Sequence, residues 1–65
     1  MPELPLAPLE RIIKKAGANR VSEDAKAKLR EVLEDYAIDV AARANTLAKH
    51  GKRKTITKED IALAT

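Results

Sequence analysis

Three cations in a row, Lys52-Arg53-Lys54, are the densest group of side chains in this chain able to hold an anion. Thr55 adds a hydroxyl, and Thr57 opens a helix whose first backbone N–H groups are free. Cations beside a helix N-terminus make a phosphate site, and such contacts position a nucleic acid without reading its bases. A solvated surface turn is the competing reading. Arg20 stands alone in an earlier connection, and Arg11, Lys14 and Lys15 lie on a short first helix. His50 is the only histidine and Cys is absent, so no Cys/His metal spacing occurs, and His50 has no nucleophile to serve as a base. Glu31, Glu34, Asp35 and Asp39 read as a solvated acidic face rather than a catalytic set. Gly-rich phosphate loops, paired-carboxylate clefts and triads are all missing. The chain reads as a non-enzyme with no cofactor, no metal and no small-molecule substrate.

These residues are positioned by three helices. The central one is predicted over 23–50. Ser22 is a good N-cap, Glu23 and Asp24 suit the positive end of the helix dipole, and Gly51 is expected to close the helix in a left-handed conformation. Leu29, Val32, Leu33, Tyr36, Val40 and Leu47 recur at the helical period, extended by Ala25, Ala37, Ala44 and Ala48. At 1.5 Å per residue this helix is roughly 42 Å long. A chain of 65 residues is too small to bury it, and no disulfide compensates. An obligate dimer follows, with Leu29, Val32, Leu33, Tyr36 and Val40 in its core.

Before that helix, residues 1–7 read as an extended lead-in from which Leu4 and Leu6 pack back. A first helix is expected over 8–16, with Pro8 in its first turn and Gly17 as its stop. After it, Thr57 and Asp60 are spaced as a capping box for a third helix, with Asp in place of the usual Glu or Gln. The order is short helix, long helix, short helix: an all-α chain, one domain over 1–65. Two copies crossing their long helices antiparallel bring Arg20-Val21 of one chain near Thr55-Ile56 of the other.

Composition narrows the partners. The net charge is +3, charged residues make up 35%, and Tyr36 is the only aromatic residue, which disfavours a base-stacking RNA or single-strand platform. No apolar run approaches the ~20 residues of a membrane span, and the first residues lack signal-peptide character. A soluble protein retained in the cell is expected.

Glu3-Leu4-Pro5-Leu6-Ala7-Pro8, Arg11-Ile12-Ile13-Lys14, Ala16-Gly17-Ala18 and Arg20-Val21-Ser22 resemble the opening of archaeal histones. Leu47-Ala48-Lys49-His50, Arg53-Lys54-Thr55-Ile56 and Glu59-Asp60-Ile61 resemble their closing half. The resemblance covers nearly the whole chain. It implies the histone fold, a head-to-tail handshake homodimer, and bending, wrapping and compaction of double-stranded DNA with little sequence specificity. It implies a cytoplasmic, nucleoid-associated chromatin protein, with no membrane partner. Arg20 would enter the minor groove. Arg11, Lys14 and Lys15 would form a central DNA site, and Lys52, Arg53, Lys54 and Thr55 a lateral one. Arg53 and Asp60 would also brace the second loop. Leu47, His50, Asp60 and Leu63 would join one dimer to the next in assemblies on DNA. One departure stands out: His50-Gly51-Lys52-Arg53 replaces the family's His-Ala-Gly-Arg. A dimerisation module of a transcription-related complex, built on the same fold, is the runner-up. A membrane-surface helix is weaker, because its basic residues are dispersed.

Overall fold

The structure is a computed structural model that describes residues 2–65; Met1, the first residue of the expected lead-in, lies outside them. It contains α1 (Leu6–Lys15), α2 (Glu23–His50) and α3 (Lys58–Ala64), and no strand among the described residues. The chain divides into two compact units, residues 1–35 and 36–65, and α2 runs through both.

In the first unit, α1 begins two residues earlier than the sequence predicts. Pro5 is the N-cap in extended conformation, with φ −71° and ψ 155°. Pro8 is therefore the third helical residue rather than the first. It is tolerated there because the first turn has no intrahelical use for its missing N–H. The far end of α1 closes with two hydrogen bonds: Gly17 N–H donates to the Lys14 carbonyl at 3.0 Å and Ala18 N–H to the Ile13 carbonyl at 3.5 Å. This is the Schellman pattern, and it puts Gly17 in the left-handed region at φ 114°. Leu9 is the buried apolar residue of this unit, while Ile12 is exposed. Ser22 then caps α2 as expected, accepting from Ala25 N–H at 3.0 Å, a contact worth about 1 kcal/mol.

The lead-in is held differently from the expectation. Leu4 is exposed and Leu6 half-buried; the fastening is made by backbone instead. The N–H groups of Glu3 and Leu4 both donate to Glu34 Oε2, the latter at 2.7 Å. Those two bonds lower the Glu34 pKa from its ordinary value by favouring the carboxylate. Glu34 is thus a clamp on residues 3–4 and not part of a freely solvated acidic face.

In the second unit a small core forms from Val40, Ala44 and Ala64, with Leu47 packed against it. The end of α2 repeats the Schellman pattern: Lys52 N–H donates to the Lys49 carbonyl and Arg53 N–H to the Ala48 carbonyl, both at 2.9 Å. The left-handed residue here is Lys52, at φ 60°, and not Gly51 as the sequence suggests. A residue bearing a Cβ loses roughly 1 kcal/mol or more in that conformation. The capping box of α3 is complete. Thr57 Oγ1 accepts from Asp60 N–H at 3.3 Å, and Asp60 Oδ2 accepts from Thr57 N–H at 2.9 Å.

Candidate nucleic-acid interface

The cations of the chain differ in what they touch. Within the chain, Lys26, Lys28, Arg43 and Arg53 form ion pairs. Arg11, Lys14, Lys15, Arg20, Lys52 and Lys54 are exposed and form none among the described residues. An unpaired surface cation has no intramolecular interaction to give up when it meets a phosphate, so this second set is available to an external anion; Lys49 and Lys58, on the helices, are likewise exposed and without an ion pair among the described residues.

Arg53 is the exception within the basic triplet. Its Nη1 and Nη2 donate to Asp60 Oδ2 and Oδ1, each at 2.8 Å, and Nη1 also reaches the Thr55 carbonyl at 3.3 Å. The two-pronged geometry matches guanidinium to carboxylate. Asp60 is buried, at 4% exposure, and its carboxyl is held far below the usual range. The Arg53 hydrogen bonds contribute most to that shift, followed by the Thr57 N–H. One carboxylate therefore ties the loop over 51–57 to the first turn of α3, and fixes the backbone on which Lys54 and Thr55 are carried.

The first unit has its own buried ion, which the sequence pattern does not single out. Lys26 Nζ lies 2.6 Å from Glu23 Oε1 and 3.3 Å from Glu10 Oε1. The Glu23 hydrogen bond is the largest cause of its raised pKa. This bridge joins α1 to the start of α2; among the described residues no side-chain hydrogen bond or ion pair braces the loop over 16–21, which carries Arg20. An i,i+3 Glu–Lys pair is legible in a sequence, but burial of that lysine beside a residue of another helix is not.

The expected dimer-core residues are placed along α2. Val40 is buried, Leu29 and Leu33 are half-buried, and Val32 and Tyr36 are exposed, at 50% and 54%. Large apolar side chains left this open on a regular stripe mark a surface built to be covered. Ile38 is also exposed, on the opposite face of α2, and nothing among the described residues accounts for it.

Of the residues predicted to join dimers, Leu47 and Leu63 line an open groove of about 450 Å³ with Arg43, Thr46, Ala64 and Thr65. His50 lines a smaller one of about 260 Å³ with Thr46 and Lys49. Leu63 is 76% exposed, whereas Asp60 is already engaged by Arg53 and Thr57. No helix among the described residues is long and apolar enough to cross a membrane.

Three helices in this order, two short loops carrying free cations and an uncovered apolar stripe define a DNA-binding scaffold of the histone type. Comparison with known proteins gives the same class. Residues 2–65 match the family model described as histone-like transcription factor (CBF/NF-Y) and archaeal histone, and the chain belongs to that family. It is 56% identical to the archaeal histone HAN1 of Thermococcus zilligii over 64 residues, covering 98% of this chain and 96% of the relative. It is 53% identical to "Probable archaeal histone 3" of Methanocaldococcus jannaschii over the same span and coverage. A nuclear transcription factor Y protein of Oryza sativa subsp. japonica is 36% identical over 63 residues, covering 94% of this chain but only 35% of that protein. The fold is the histone fold and the function is that of a DNA-packaging histone, a structural protein of the chromosome; the transcription-module alternative is not favoured.

Proposed function

We propose that two copies of this chain form a homodimer by crossing their α2 helices antiparallel, so that residues 1–65 act as one histone-fold domain. Leu29, Val32, Leu33, Tyr36 and Val40 then cover one another. Each end of the dimer pairs the Arg20 loop of one chain with the Lys54–Thr55 loop of its partner. The two copies of α1 bring Arg11, Lys14 and Lys15 to the centre. Double-stranded DNA follows these three sites, with Arg20 in the minor groove and the lysines on phosphates. Minor grooves face inward every ~10 bp, so one dimer bends roughly 30 bp. Arg53 serves this interface through its brace on Asp60.

The observation that carries this reading is the partition of cations: among the described residues, those on the loops and α1 are unpaired except Arg53. The protein acts without catalysis, cofactor, metal or small-molecule substrate, on the nucleoid in the cytoplasm and without a membrane partner. Longer wraps form when dimers meet end to end through Leu47, His50, Asp60 and Leu63. Among the described residues Asp60 Oδ1 accepts a single hydrogen bond, from Arg53, which leaves a lone pair for a donor on the neighbour.

Nuclease digestion of the protein–DNA complex tests the proposal. Protected fragments at regular spacing are expected, and protection should fade steeply with salt as counterions compete. Absence of protection at physiological salt would remove DNA wrapping from the account. The homodimer has a separate test. Tyr36→Asp puts a charge into the proposed core, so a largely unfolded chain is expected. A folded monomer in sedimentation would show that α2 is not the dimer surface.

A further inference from the structure

Residue type and backbone conformation disagree at the end of α2. The left-handed position of its closing turn belongs to Lys52, at φ 60°, although a glycine stands immediately before it. Gly51 itself has no positive φ to accommodate. What it supplies is space. A Cβ at residue 51 would lie 3.0 Å from Arg53 Nε, 3.3 Å from Arg53 Nη2 and 3.5 Å from the Ala48 carbonyl oxygen. The guanidinium has little freedom to retreat, because both of its terminal nitrogens are held at 2.8 Å by Asp60. Gly51 is therefore the seat over which the Arg53 side chain folds back.

Lys52 presents the opposite case. Its left-handed backbone opposes stability, and its side chain is exposed without a hydrogen bond or ion pair among the described residues. Glycine would make the same turn with less strain. A residue that weakens the turn and returns no contact to the fold is accounted for by a ligand outside it.

Resting on the DNA-binding reading above, we propose that Gly51 and Lys52 divide the work of the basic triplet. Gly51 withdraws Arg53 from the DNA by seating it against the chain, and Lys52 is the phosphate ligand that takes its place. Stability is given up at residue 52 in exchange for a free cation at the head of the loop.

The test uses the full chain, duplex DNA of arbitrary sequence, a salt series, and melting at fixed protein concentration. Lys52→Gly should raise Tm by about 4 °C, the response of a small domain to relief of one strained residue. It should also weaken DNA binding and flatten the plot of log K against log salt by about 0.9 per lost phosphate contact, hence nearly two units for a dimer. Lys52→Gln should flatten the plot equally without raising Tm, since the strain remains. Gly51→Ala should lower Tm and shift the Arg53 Nε–H resonance. An unchanged salt slope in both Lys52 variants would overturn the phosphate assignment. An unmoved Arg53 resonance in Gly51→Ala would overturn the seat. The parent chain reports separately: if it shows no salt-dependent binding, the DNA function fails and the assignment of Lys52 with it.

Discussion

The two loops of this chain leave their helices by the same pair of hydrogen bonds and then go separate ways. The loop after α1 turns on Gly17, whose φ of 114° requires glycine and around which nothing lies within 4 Å of an added Cβ. The loop after α2 turns on Lys52, and its glycine one place earlier is needed for room. Beyond the turn, the first loop reaches Ser22 without a side-chain brace, and its Arg20 is unpaired among the described residues. The second loop is bound to α3 by the Arg53–Asp60 pair and the Thr57 cap. An arginine in the first loop is therefore free to meet DNA, while the arginine of the second loop is consumed in holding its neighbours. Equal closing geometry does not imply equal use of the charges that follow it.

Asp60→Ala should break this distinction most severely. It removes the guanidinium's partner and one half of the capping box together, so Arg53 becomes mobile and α3 frays. Amide exchange should accelerate over 57–64, Tm should fall at fixed protein concentration, and the longest nuclease-protected fragments should disappear. Uniform acceleration that includes residues 16–22 would show that the loops are not separately held. Acid should act in the same place. The Asp60 pKa is lower in the folded chain than in the unfolded one, so its contribution is present in full above the ordinary carboxylate pKa. It is lost as pH falls through the folded value, and NMR titration of the Asp60 carboxyl should show that protonation coincides with release of the second loop. Glu34, also lowered, shares the direction and should free residues 3–4. Lys26 has the opposite sign: its pKa is raised, so the bridge it makes persists below the ordinary lysine value and weakens only as pH rises through the raised one.

Gly17→Ala has the smallest expected effect. Space is available, so the cost is the positive-φ backbone alone, upwards of about 1 kcal/mol. Chemical denaturation should register that loss with an unchanged salt dependence of DNA binding. A drop well beyond that size would mean that Gly17 is also packed against something in the assembled protein.

Much of the fold is legible in the sequence because local chemistry and periodicity agree. Ser22 and the last basic residues bound α2 at Glu23–His50, and the spacing of Thr57 and Asp60 marks the cap of α3 despite the shorter acid. The start of α1 is harder to place because Pro8 satisfies a first-turn position whether it is the first or the third helical residue. Gly51 misleads for a different reason. Glycine near a helix end signals a left-handed turn or a close approach, and only the position of the Arg53 side chain tells which. The Glu34 clamp and the buried Lys26 depend on residues 31 and 16 positions away, a separation that no local pattern records. The free cations at Arg20, Lys52 and Lys54 are visible as candidates in the sequence. That Arg53 is clamped within the chain follows there only from resemblance, and physically only from its geometry.

The Asp60 carboxylate has a consequence for which sequences can occupy that position. Its two oxygens accept from both arms of Arg53 and from the Thr57 backbone. Asparagine offers one acceptor and turns a donor toward a donor. Glutamate, the usual residue of a capping box, is longer by a methylene and cannot keep the same reach to the guanidinium. Two requirements that most helices distribute over separate residues meet here in one side chain. Any exchange at this position therefore disturbs the Arg53 pair and the α3 cap at once.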